Sequence, residues 1–101
     1  MSSLEFLKLN DSIIPSFRDI GTSFRNVRSL HIGRCELKDV QGIQAFEQLE
    51  ELYIGYNELD DLFDISFIEH LTVLDFEGNN LKNIDELYKL RKCRKLTHLN
   101  L

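Results

Sequence analysis

The chain has 101 residues, 43% of them hydrophobic and 29% charged, with one proline and five glycines; that is one small globular domain, and it excludes multidomain, collagen-like and low-complexity architectures. Seventeen acidic against twelve basic side chains leave a net charge of -5, which opposes general affinity for nucleic-acid phosphate or an anionic membrane. The opening MSSLEFLKLN has no basic stretch followed by an apolar core, and no apolar run approaches the roughly eighteen residues that span a bilayer, so the chain reads as soluble and unsecreted.

In chain order, apolar residues recur at a fixed interval. The first unit, 4–26, carries Leu4, Leu7, Leu9, Ile14, Phe17 and Ile20, and one extra residue lets Phe24 fill its last apolar slot. From Val27 the interval is 22. The unit 27–48 gives Val27, Leu30, Ile32, Leu37, Val40, Ile43 and Phe46 at offsets 0, 3, 5, 10, 13, 16 and 19. The unit 49–70 repeats them as Leu49, Leu52, Ile54, Leu59, Leu62, Ile65 and Ile68, and the unit 71–95 as Leu71, Leu74, Phe76, Leu81, Ile84, Leu87 and Leu90. At a 43% apolar background, all twenty-one positions coincide by chance with a probability of about 10⁻⁸. A fifth unit opens with Leu96, Leu99 and Leu101 and stops after its first strand, so the span is read as one truncated repeat domain.

Each unit starts with alternating inward and outward residues, the pattern of a short strand, and returns with apolar residues every third position, which suits a 3₁₀-like, short helical or extended segment. Stacked units place the strands in one parallel ladder on the concave side and the returns on the convex side. Offset 8 holds Asn57 and Asn79, whose side-chain amides are expected to be buried and to bond turn backbone, and Cys35 takes that slot as a small buried side chain. Cys93 is expected in the convex core; the two cysteines match no metal-finger spacing and read as reduced thiols.

The runs LEELYIGYNELDDL and LTVLDFEGNNLKNI resemble the leucine-rich repeat family in its 22-residue intracellular class. That resemblance covers essentially the whole chain and implies an α/β solenoid that binds proteins. Within the family, the run from Ile20 to Leu62, the irregular first unit and the Leu-Tyr-Lys-Leu-Arg-Lys-Cys insertion are similar to ciliary members. The similarity implies a cytoplasmic and ciliary factor that helps assemble or deliver outer dynein arms, with dynein-arm or intraflagellar transport components as partners. The same repeat class also supplies phosphatase-targeting subunits and structural axonemal spacers, and those readings stand beside the adaptor.

The outward strand positions form columns across the ladder. Lys8, His31, Tyr53, Asp75 and Asn100 share offset 4; Phe6, Ser29, Glu51, Val73 and His98 share offset 2. Asn10, Gly33, Gly55 and Glu77 share offset 6, and Asp11, Arg34, Tyr56 and Gly78 share offset 7. Exposed Tyr53 and Tyr56 beside small glycines form an expected anchor for a protein partner, with Lys8, His31, Arg34, Glu51, Val73, Asp75 and Glu77 around them, because tyrosine and arginine dominate interface hot spots. A second surface is the convex run Lys89, Arg91, Lys92, Arg94 and Lys95, five bases without an acid, which is expected to form a short helix around buried Leu90 and Cys93 and to dock an acidic partner.

Catalysis is not expected. His31, Tyr53 and Asp75 have no serine or cysteine nucleophile in their column, and an open ladder excludes little water. The three histidines occupy unrelated offsets, and Glu58, Asp60, Asp61 and Asp64 lack the glycine and closing glutamate of a calcium loop, so no metal, cofactor or small-molecule substrate is expected. Asn10-Asp11-Ser12 fits a glycosylation acceptor only in a secreted protein.

Overall fold

The computed structural model describes residues 3–101. Five three-residue strands, β1 (Phe6–Lys8), β2 (Ser29–His31), β3 (Glu51–Tyr53), β4 (Val73–Asp75) and β5 (His98–Asn100), form one parallel sheet in chain order. Alternation sets the register. Leu7, Leu30, Leu52, Leu74 and Leu99 pair in one inward column, flanked by outward columns running Phe6, Ser29, Glu51, Val73, His98 and Lys8, His31, Tyr53, Asp75, Asn100.

The returns differ along the chain. The first is an α-helix, α1 (Phe17–Ser23), capped where Ser16 Oγ accepts from the Asp19 N–H at 3.3 Å. The later returns are 3₁₀ segments at Ile43–Ala45, Ile65–Phe67 and Ile84–Lys92. α1 and the Ile43–Ala45 turn approach so closely that a Cβ at Gly21 would lie 2.7 Å from the Ala45 Cβ, so this contact requires glycine. The last return ends at Lys92, leaving Arg94 and Lys95 of the expected basic helix in the turn that leads to β5.

One contiguous core runs through the stack, from Phe17 through Leu30, Leu52 and Leu74 to Leu90 and Cys93. The repeat pattern overstates it at both ends: in the first unit Leu4 is 41% exposed and Leu7, Leu9, Ile14, Ile20 and Phe24 are only partly buried, and the departure is larger in the fourth. Ile84, in an inward slot of the 22-residue pattern, is 70% exposed, and Leu81 and Leu87 are only partly buried. The reason is geometric: residues 96–101 add β5 but no return segment, so nothing among the described residues covers the fourth return.

Backbone groups that the short ladder leaves over are met at offset 8. Asn57 Oδ1 accepts from the N–H groups of Cys35 at 2.8 Å and Leu37 at 3.1 Å, and its Nδ2 donates to the Ile32 and Ile54 carbonyls, both at 3.0 Å. Asn79 Oδ1 accepts from Leu59 N–H at 3.0 Å, and its Nδ2 donates to the Ile54 and Phe76 carbonyls at 2.9 and 3.1 Å. Asn57 is buried; Asn79, expected to be buried, is half-buried because it sits nearer the uncovered end. Cys35 is buried, and its thiol donates to the Leu9 carbonyl at 3.1 Å. Cys93 is buried too, and burial pushes its thiol above the ordinary cysteine range.

Candidate functional site

The outward side of the sheet carries a continuous row of rings. His31 stacks on Tyr53 with centroids 4.2 Å apart and an interplanar angle of 17°, and Phe6 tilts onto His31 at 4.9 Å and 39°. Three aromatic side chains from β1, β2 and β3 thus lie one above another, a favourable offset arrangement. The stack corrects the expected state of Tyr53, which is half-buried rather than freely exposed: neighbouring rings cover one face, and its hydroxyl donates to Glu51 Oε1 at 3.1 Å. Phe6 has no role in the sequence reading. Its contact is diagonal, from the offset-2 column of one strand to the offset-4 column of the next, so column-by-column reading passes over it.

A polar chain runs beneath the rings. Ser29 Oγ donates to Glu51 Oε1 at 3.4 Å and lies 3.4 Å from His31 Nε2. The structure therefore brings a serine to His31 that the shared-column argument leaves out, with both contacts at the outer limit of hydrogen bonding. Partial burial lowers the His31 imidazole below its ordinary value, the Lys8 charge adds to that, and Glu51 opposes it. Burial, followed by the Glu51 carboxylate, pushes the Tyr53 phenol up. Both shifts favour the uncharged forms of the two rings.

Beyond the rings the surface turns acidic. Asp75 Oδ1 accepts from the Glu77 N–H at 3.1 Å and from Asn100 Nδ2 at 3.3 Å, and Glu77 Oε1 accepts from the same amide at 3.2 Å. Val73 is half-buried at the start of β4, beside Glu51 of β3, while Lys8 is exposed on the edge strand β1. Arg34, expected to meet a partner, is tied to Asp11 at 3.0 Å in an exposed pair that holds the Asp11 carboxyl below its usual range.

Offset 7 has a backbone property invisible in the residue names. Asp11, Arg34, Tyr56 and Gly78 all adopt positive φ, at 61°, 54°, 57° and 80°. The turn after each of these strands demands a left-handed residue, which glycine supplies without strain and a bulky side chain adopts at a cost of about 1 kcal/mol or more. Tyr56 is held there while 55% exposed, its ring lying over Gly78 so closely that a Cβ on that glycine would clash with it. The Glu77 charge, ahead of partial burial, raises the Tyr56 phenol.

On the convex side, Lys89 pairs with Glu86 at 2.9 Å, and Lys95 Nζ lies 3.3 Å from His70 Nδ1. Glu58, Asp60 and Asp61 are exposed, and Asp64 is half-buried with its carboxyl pushed up, first by burial and then by Asp61 and Asp39. Among the described residues no three His, Cys, Asp or Glu side chains converge as a metal site. No helix among them is long and apolar enough to cross a membrane.

No family model matches the chain. It is 44% identical over 95 residues to leucine-rich repeat-containing protein 56 of Rattus norvegicus, covering 94% of this chain and 17% of that protein. The Homo sapiens protein of the same name is 40% identical over 101 residues, covering 100% of this chain and 19% of that one. A Trypanosoma brucei brucei homologue is 38% identical over 104 residues, covering 98% and 14%. The chain thus spans less than a fifth of the length of these curated relatives. Among solved structures, an internalin from Listeria monocytogenes superposes with a TM-score of 0.75 at 23% identity, covering 97% of this chain and 28% of that one, a likeness of fold alone.

Proposed function

Because the chain belongs to the leucine-rich repeat proteins, whose shared scaffold is a protein-interaction module, we propose that the ring-lined concave face docks a protein partner and that the protein serves as a noncatalytic cytoplasmic adaptor in ciliary outer dynein arm assembly or transport. The observation that carries the docking site is Tyr56. A large side chain is kept on a left-handed backbone position where the next unit uses glycine, so the fold bears a conformational cost for a ring that rests on Gly78 and stays 55% exposed. Beside it the half-buried His31–Tyr53 stack offers a rigid aromatic platform that loses little side-chain freedom on binding. The ciliary assignment rests on the resemblance of the run from Ile20 to Leu62 to ciliary leucine-rich repeat proteins.

The test is capture of partners from ciliated-cell cytoplasm, comparing the natural protein with a Tyr53→Ala, Tyr56→Asn double variant and identifying what is retained by mass spectrometry. Asparagine keeps a residue that tolerates the left-handed turn, so the fold is preserved while the ring is removed. Enrichment of dynein-arm or intraflagellar transport subunits that disappears with the double variant is the expected result. Retention of a phosphatase catalytic subunit instead would transfer the protein to the regulatory class, and stable incorporation into isolated axonemes would make it a spacer.

A further inference from the structure

The convex side carries a second feature that the concave reading does not use. Phe63 and Phe67 are exposed at 55% and 42%, and their rings meet edge to face at 5.1 Å and 80°. Tyr88 on the neighbouring return is also exposed. These rings are not part of the core repeat: the positions corresponding to Phe63 and Phe67 one unit earlier are Gln41 and Ala45. Each ring is roofed by a cation. Lys92 Nζ lies 4.8 Å from the Phe67 centroid, Lys89 Nζ 6.0 Å from that of Phe63, and the Arg91 guanidinium 4.1 Å from that of Tyr88.

We propose that the ridge formed by Phe63, Phe67, Tyr88, Arg91 and Lys92 docks an acidic peptide that seats one large apolar side chain on the Phe63–Phe67 pair and places its carboxylates on Arg91 and Lys92, Lys89 being held by Glu86. Charge supplies the argument. Residues 35–86 hold fourteen acids against the two bases Lys38 and Lys82, yet among the described residues neither Arg91 nor Lys92 has a carboxylate within ion-pair distance. Their intramolecular partners are ring faces and, for Arg91, the Tyr88 carbonyl at 3.1 Å, so an incoming carboxylate finds donors without breaking an ion pair.

Exposed carboxylates, those of Asp61, Asp85 and Glu69, flank the ridge in sequence, and the whole chain is net negative. A broad polyanion such as a lipid surface or a nucleic-acid duplex meets those carboxylates, whereas a single extended peptide is narrow enough to follow the cations.

The probe is a fluorescent glutamate-rich peptide carrying one central leucine, titrated into the whole chain and followed by anisotropy. Binding that weakens with salt is expected, falling about tenfold in Arg91→Ser, Lys92→Ser and, separately, in Phe67→Ser. Because these side chains lie at the surface, unchanged melting of each variant confirms that folding is intact. The concave double variant Tyr53→Ala, Tyr56→Asn is expected to bind the peptide as the natural chain does, which separates this ridge from the concave site. Equal affinity for a leucine-free peptide overturns the apolar seat. Equal or tighter binding to phosphatidylserine vesicles or a DNA duplex overturns the choice of peptide, and undiminished binding in both ridge variants, or none by the natural chain, overturns the proposal.

Discussion

Leu62 and Ile84 stand at the same position of successive units, yet one has no exposed surface and the other is 70% exposed. Their neighbours follow suit: Leu59 and Ile65 are buried, whereas Leu81 and Leu87 are only partly so. Asn57 spans two units from within the core, and Asn79 does a similar task half in water. Two units written in nearly the same pattern thus differ because one is covered by a following return and the other is not. In a stacked repeat, burial belongs to the interface between units rather than to the unit.

The strongest way to break that comparison is truncation of the paired leucine-slot residues. Leu62→Ala should cost about 2–5 kcal/mol by leaving a cavity in the covered unit, while Ile84→Ala should stay within about 1 kcal/mol, both read from urea denaturation. Equal losses would show that the fourth return contributes as much to stability as the third. The asparagines sharpen the point. Asn57→Ala strips partners from the Cys35 and Leu37 N–H groups and from the Ile32, Ile54 and Gly55 carbonyls, and should cost about 1–3 kcal/mol, with Asn79→Ala at or below the lower end of that range.

A smaller effect is expected at the turn. Gly78→Ala places a Cβ both at positive φ and against the Tyr56 ring, and should lower stability by about 1–2 kcal/mol while releasing Tyr56 from its place, visible as a changed tyrosine fluorescence anisotropy. The smallest is a pH effect at His31. Its folded pKa is lowered from 6.5, so the unfolded chain takes up a proton first; the stabilisation is present above the ordinary value and lost as pH falls through the folded one. Between about pH 7 and about pH 5 the melting temperature of the natural chain should therefore fall more than that of His31→Gln. A parallel fall in both would place the acid sensitivity elsewhere.

The 22-residue period is enough to write down the parallel sheet and its columns, because strand alternation and a fixed unit length leave one register. Three things it leaves hidden. The Phe6–His31–Tyr53 stack depends on a diagonal contact between columns. The strained turn at Arg34 and Tyr56 is masked because only Gly78 announces a left-handed backbone by its residue type. Phe63 and Phe67 fall off the apolar pattern, and a search for inward positions discards them as solvent slots. Periodicity reports what the units share, so the features peculiar to one unit are the ones it filters out.

The paired strands lie 23, 22, 22 and 25 positions apart along the chain, yet their residues remain in step across the sheet. Differences in unit length are absorbed in the α-helix of the first return and the long 3₁₀ segment of the last. The solenoid therefore has a front insulated from insertions and a back that records them. A residue gained or lost in a return reshapes the convex side and leaves the outward strand rows aligned, so the two surfaces are free to diverge separately: one by changes of length, the other by changes of side chain.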